Sequence, residues 1–223
     1  RIYFALPFML LTSLAVAQET EKKTAPMADK WEKEIATMLA KDEKTPPPQE
    51  GIVFTGSSSI RLWDLTKSFP NLPVVNRGFG GSQIHDATKY ATKIVTPLKP
   101  KLVIFYSGDN DLKSNKTPEK AAADFAEFCA VVHKELPKTQ IWFIAIKPCP
   151  SRWSLFETQK QTNDLIRKQC EQDSQRLLYV DIVAAMLDRK AAVVVEDDAQ
   201  FTRFVRRCLE EPAYANELGQ RAQ

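Results

Sequence analysis

Four short apolar runs constrain this chain more than any other feature: "GIVFTG" (51–56), "KLVIFYSG" (101–108), "QIWFIAI" (140–146) and "RLLYVDI" (176–182). Each is rich in β-branched and aromatic residues, which pack well on a pleated surface. None alternates apolar with polar as a half-exposed strand does; hydrophobicity is nearly continuous, as in strands buried on both faces. "LPVVNRG" (72–78) is a weaker fifth candidate. Patterns of helical period lie between them. In "TPEKAAADFAEFCAVVHKEL" (117–136), Thr117 can cap, Pro118 suits the first turn, and Phe125, Phe128, Val132 and Leu136 share a face. "SLFETQKQTNDLIRKQCEQ" (154–172) reads as a second helix. "PMADKWEKEIATMLAKDEK" (26–44) sets Trp31, Ile35, Met38 and Leu39 on one stripe. "TPPPQE" (45–50) then stops it, because proline lacks an N–H and restricts the residue before it. Strands alternating with helices predict an α/β protein: a three-layer α/β/α sandwich on a mostly parallel five-stranded sheet.

With 223 residues, 43% of them apolar, the chain suits one domain with a continuous core. A net charge of +3, spread without a long basic block, gives no reason to expect nucleic acid as a partner. Residues 1–17 carry a secretory signal pattern: one Arg, a short apolar stretch, and small residues at Ala15 and Ala17 before Gln18. The apolar run falls short of the ~20 residues that cross a bilayer, so no stable membrane anchor is expected after cleavage. Export, to the medium or the periplasm, follows. The remaining organisation reads as an N-terminal helix and proline-rich linker (18–50), a main domain (51–188) and an atypical helical tail (189–223). Cys129, Cys149, Cys170 and Cys208 match no zinc template and allow three pairings; buried free thiols and disulfides both stay open.

In parallel α/β sheets, ligands sit beyond the carboxyl ends of the strands. Three such ends carry unusual loops: Gly56-Ser57-Ser58-Ser59, then "NRGFGG" from Asn76 to Gly81, then Gly108-Asp109-Asn110-Asp111. Most of the chain's glycines fall there, where backbone must turn tightly or approach a ligand closely. Taken singly, each loop is an ordinary turn or glycine loop. Three at three successive strand ends point to a site.

These loops carry a resemblance. "GSSS", "NRGFGG" and "GDND" resemble blocks one, two and three of the SGNH hydrolases, the GDSL-type esterases and lipases. "VNRGFGGSQIHDA" and "IKPCPSRW" are similar to a secreted bacterial branch related to platelet-activating-factor acetylhydrolase subunits. The similarity runs from about Gly51 to Asp188, and it implies a flavodoxin-like fold and hydrolysis of acyl esters, including O-acetyl groups on carbohydrate. Carried over by position, the nucleophile is Ser58, preceded by Ser57 where the family has Asp. The oxyanion donors are the N–H of Gly81 and the amide of Asn110. The chemistry needs these types: acyl transfer builds an oxyanion, and each preorganised donor lost typically costs ~3 kcal/mol of barrier. No metal and no cofactor is implied, and the partner is a small-molecule or carbohydrate ester.

A serine hydroxyl needs a base, and the family supplies it from a late Asp-x-x-His. The chain has only two histidines, His85 and His133, and neither lies in such a motif. His133 is mid-helix, a packing or surface residue. His85 is expected to face outward on the helix after block two, and it is the one of the two that is a candidate for a substitute base. In one alignment Asp197 takes the place of the family's Asp and Gln200 stands where His belongs; an amide is not a base. In the other, which is the preferred reading, the similarity ends near Asp188 and a foreign tail replaces the family's late Asp-x-x-His stretch. The tail from Lys190 then resembles the closing helices of 3-deoxy-manno-octulosonate transferases, with their "Leu-x-x-Pro … Leu-Gly-x-Arg-Ala" rhythm. Either way the hydrolytic site lacks its base. The two readings are therefore an esterase domain of impaired activity and a binding protein that keeps the esterase cleft. A glycosyltransferase fragment is disfavoured, because a few dozen residues cannot build a nucleotide-sugar domain.

Overall fold

The computed structural model describes residues 29–183. Five parallel strands, β1 (Ile52–Gly56), β2 (Val74–Gly78), β3 (Leu102–Tyr106), β4 (Gln140–Ile144) and β5 (Leu177–Val180), form one sheet in the order β2-β1-β3-β4-β5. All five apolar runs become strands. The weakest of them, β2, is an edge strand, and its half-buried Val74 and Asn76 explain why its hydrophobicity is broken. Helix α1 (Glu32–Lys44) precedes the sheet. Single turns α2 (Ser58–Arg61) and α3 (Leu65–Ser68) join β1 to β2, and α4 (Ile84–Ile94) joins β2 to β3. The short α5 (Asp109–Lys113) and long α6 (Pro118–Glu135) join β3 to β4; a 3-10 segment (Pro150–Leu155) and α7 (Phe156–Gln172) lead to β5.

Strand register assigns the layers. Phe54 pairs with Ile104 and Thr55 with Phe105, so Phe54 and Phe105 point to opposite faces. Phe54 meets Trp63 and Phe69, which places α2 and α3 on its side. Phe105 meets Phe125 and Phe128 of α6 and lies in line with Phe143 and Tyr179, over which the Arg167 guanidinium of α7 sits. Arg77 shares that second face through its pairing with Thr55. Its guanidinium donates to the Ile94 carbonyl at the end of α4 and to Asp42 of α1. The result is the α/β/α sandwich that the alternation of strands and helices predicts.

The helix signals act as read. Thr117 accepts from the Lys120 N–H and Pro118 opens α6, with Phe125, Phe128 and Val132 fully buried. In α1, Ile35 is buried and Trp31, Met38 and Leu39 pack partly against the core; the helix ends at Lys44, before the prolines. Cys129, Cys149 and Cys170 are free thiols, the first and last of them buried. Among the described residues no helix is long and apolar enough to cross a membrane. The signal pattern (1–17), the tail (189–223), Cys208, Asp197 and Gln200 lie outside the described residues.

Candidate active site

Strand order puts the three glycine-bearing loops side by side. Gly56, at the end of β1, lies in register with Gly78 of β2 and with Tyr106 of β3. The chain leaves β1 toward β2 and then crosses back to β3, so β1 and β3 flank the switch point where such sheets open a crevice. Backbone bonds tie the loops together. The Ser57 N–H donates to the Tyr106 carbonyl at 2.9 Å, and the Gly56 carbonyl accepts from the Phe79 N–H at 3.0 Å and the Ser82 hydroxyl at 3.2 Å. Gly56 has φ +126°, and a Cβ there would lie 2.0 Å from the Tyr106 oxygen. Only glycine permits that approach.

Each predicted residue has its own support. Ser58 opens α2, half-buried, with buried Ser57 beneath it. Asn76 of β2 fastens that turn by donating to the carbonyls of Ile60 (2.7 Å) and Trp63 (3.1 Å). Gly81 sits at φ +74° on the exposed rim. The carbonyl of its peptide, on Gly80, accepts from the Trp31 indole N–H at 2.9 Å. Because the peptide is planar and trans, that bond turns the Gly81 N–H to the opposite side. The Asn110 amide donates to the Ser82 carbonyl at 3.0 Å, and its own oxygen accepts from Arg152 Nη2 at 3.1 Å. Among the described residues, the N–H groups of Ser58 and Gly81, the second amide proton of Asn110 and the Ser58 hydroxyl have no hydrogen-bond partner. The two donors that the motifs single out, the Gly81 N–H and the Asn110 amide, are thus among those left uncommitted.

The histidines lie elsewhere. His85, exposed on α4, places Nδ1 3.2 Å from Lys116 Nζ and Nε2 3.2 Å from the Asp86 carboxylate. His133 places Nε2 2.9 Å from the Thr139 carbonyl, and burial lowers its pKa. Neither histidine makes a hydrogen bond to Ser58.

Two networks beside the site were not legible in the motifs. In the first, the buried Tyr106 hydroxyl donates to Asp109, whose other oxygen lies 3.9 Å from Arg152 Nη1. Burial raises the Asp109 pKa, against the opposing effects of the Tyr106 bond and the Arg152 charge. Burial also pushes the Tyr106 phenol well up, and the Asp109 charge adds to it. In the second, Lys116 Nζ lies 2.6 Å from both Asp111 and Asp124, and Asp111 also accepts the Ile84 N–H. Burial opposes the Lys116 charge, but the two carboxylates outweigh it and raise its pKa. His85, Asp111 and Asp124 bring ligand-type atoms within 4.8 Å of one another. The Lys116 ammonium is the cation this group already holds.

The family comparison settles the lineage. The model of the GDSL-like Lipase/Acylhydrolase family matches residues 56–204, more than half of the chain. The chain belongs to that family. No curated protein matches it. Several solved structures share the fold of this acylhydrolase-family chain. One, described as an acylhydrolase of Bacteroides fragilis, is 16% identical over 68% of this chain and 78% of its own, with a TM-score of 0.59. Another, described as a platelet activating factor of Streptococcus pneumonia, is 17% identical over 71% and 78%, TM-score 0.57. A variant of a Geobacillus acetyl-xylooligosaccharide esterase is 17% identical over 73% and 93%, TM-score 0.54. The family match runs past Asp188 to residue 204 and so takes in Asp197 and Gln200.

Proposed function

We propose that this acylhydrolase-family chain is an exported serine esterase domain, acting on small or carbohydrate-linked acyl esters such as O-acetyl groups, whose Asp-x-x-His position has lost its base. The observation that carries the reading is the set of uncommitted donors on three loops tied at adjacent strand ends. Ser58 Oγ attacks the ester carbonyl carbon; the C=O electron pair moves onto oxygen as the Oγ–C bond forms. The oxyanion accepts from the N–H groups of Ser58 and Gly81 and the Asn110 amide, held in place before reaction. The Ser58 hydroxyl proton passes to solvent water, collapse expels the alkoxide, which takes a proton from solvent to leave as the alcohol, and water hydrolyses the acyl-Ser58 that remains. α2 is a single turn, so the loop N–H groups rather than a helix dipole supply the stabilisation.

The proton is the weak point. At the aligned position Gln200 cannot take it from Ser58, and Asp197 would have no imidazole to orient. Loss of a triad member leaves roughly 10³–10⁴ over water from oxyanion stabilisation and binding. Serine-to-alanine and histidine-to-alanine variants of the Geobacillus acetylxylan esterase, 16% and 17% identical to this chain, are described as catalytic mutants; this supports the roles given to the serine and the vacated histidine position. The experiment is release of p-nitrophenol from the acetate ester. Slow turnover abolished by Ser58→Ala supports the esterase; ester binding without turnover supports the second reading, a binding protein with an intact cleft. That reading is favoured by one fact: no described histidine bonds to Ser58.

A further inference from the structure

An amide is nearly symmetric in shape but opposite in chemistry at its two ends. Were Asn110 reversed, its oxygen would confront a developing oxyanion and repel it. Resting on the oxyanion role proposed above, we infer that Arg152 is a positioning residue that locks the Asn110 amide with an N–H toward the reacting carbonyl. A guanidinium only donates, and Arg152 Nη2 lies 3.1 Å from Asn110 Oδ1. A carbonyl only accepts, and the Ser82 oxygen takes one Asn110 proton at 3.0 Å. Reversal would set oxygen against oxygen and amide N–H against guanidinium, two repulsive contacts in place of two bonds. The lock leaves one N–H over.

Arg152 is itself held. Its side chain is 24% exposed, and Nη1 lies 3.9 Å from Asp109 Oδ1. Asp109 receives the Tyr106 hydroxyl on its other oxygen. Asp109 Oδ1 is buried and has no hydrogen-bond partner among the described residues, so the guanidinium charge is its compensation. Arg152 interrupts the 3-10 segment with φ −129° and ψ 23°, which departs from helical backbone at this one residue.

The test uses the intact chain and two readouts. The first is the rate of Ser58 labelling by a fluorophosphonate, whose phosphoryl oxygen draws on the same donors. Asn110→Ala is expected to slow it about 100-fold. Arg152→Leu should slow it to within about threefold of Asn110→Ala, and the double variant should be no slower than Asn110→Ala, since coupled residues do not add. Arg152→Lys, which keeps a cationic donor, should recover most of the rate; a variant that merely unfolds would not be rescued. The second readout, independent of reactivity, is the Asn110 side-chain N–H pair in a nitrogen-15 spectrum. Arg152→Leu should move the two proton shifts toward those of an unconstrained asparagine side chain and speed their exchange with solvent. If Asn110→Ala leaves labelling unchanged, the oxyanion reading falls and the inference with it. If Asn110→Ala slows labelling while Arg152→Leu does not, or if the Asn110 signals are identical in Arg152→Leu, the inference alone is overturned.

Discussion

The two halves of the site differ in how completely they are built. On the donor half, the loops after β1 and β2 are cross-tied through Gly56, Asn76 and Ser82, and no buried side-chain polar atom there lacks a partner among the described residues. On the proton-accepting half, the Ser58 hydroxyl meets no base among the described residues, and both histidines bond elsewhere. Just past β3 and along α7, the Ser107 hydroxyl, an Asp109 oxygen and the Gln159 amide are buried without partners among the described residues. Stabilising an oxyanion needs only backbone and one amide, all fixed by strand register. Moving a proton needs one particular side chain at one place, and a single substitution removes it. Oxyanion geometry is a property of the fold; basicity is a property of one residue.

The largest effect should come from repairing the deficient half. On the proposed reading Gln200→His restores the Asp-x-x-His pair with Asp197, and general-base catalysis is worth about 10²–10⁴-fold. Turnover of p-nitrophenyl acetate should rise by about 100-fold or more and follow a sigmoid pH profile with a midpoint near 6.5, the imidazole range. An unchanged rate would mean that Asp197 and Gln200 do not stand at the base's position. Ser58→Ala in the same background should remove the gain.

Next comes the cation that joins the third loop to α6. Lys116 Nζ compensates Asp111 and Asp124, of which 0% and 1% is exposed. Lys116→Met leaves Asp111 without its cation and Asp124 with Lys120 alone; losing one partner of a buried pair costs about 3–5 kcal/mol. Burial tends to raise the Asp124 pKa, but the bonds from Lys116 and Lys120 outweigh it and hold the value below the usual range. Its stabilising contribution is therefore present above the unfolded carboxylate pKa and lost as pH falls through the lower folded value. Lys116 is raised, so its contribution is present below its unfolded pKa and lost as pH rises through the higher folded one. Lys116→Met removes one of the two cations that oppose the effect of burial on Asp124, so denaturation curves should show the variant losing less stability on acidification than the parent chain. Because Asp111 also holds the Ile84 N–H, this variant should disturb the Gly81 loop as well.

A smaller effect belongs to Trp31. Trp31→Phe keeps the edge contact with Phe79 but deletes the donor to the Gly80 carbonyl. One neutral hydrogen bond is worth about 1 kcal/mol, so esterase or labelling rate should fall about fivefold, with fold stability changed by a similar amount at most.

How much of this could be read in the chain follows from the range of each interaction. The sheet was legible because strand burial is written into consecutive residues, and even β2 showed through its edge position. The loops that carry Ser58, Gly81 and Asn110 were legible because each is short and follows a strand end. Helix α4 was harder: its buried face is partly Ala87, Thr88 and Ala91, small residues that carry little hydrophobic signal. Single turns such as α2 and α3 are too short to show a period. Arg152 and Trp31 act across 42 and 49 residues, and nothing local marks those bonds. Trp31 reads as a member of an apolar stripe, which its ring is; the job of its N–H is invisible until the second loop is folded against it.

The smallest expected effect tests the deficient half from the other side. His85 is the one histidine on an element that leaves the second loop, yet its side chain is 53% exposed and turned toward Asp86 and Lys116. An imidazole must reach the serine proton before its pKa matters. His85→Ala should therefore leave ester turnover and fluorophosphonate labelling unchanged, and stability should move by no more than about 0.5 kcal/mol, as for most surface changes. A large fall in turnover with the fold intact would give His85 the proton after all. It would also mean that α4 swings its first turn toward Ser58, which requires breaking the bonds from Ile84 N–H to Asp111 and from Gln83 N–H to Asp86. Those bonds belong to the scaffold that holds Gly81, so a base recruited that way would dismantle the oxyanion site it was meant to serve.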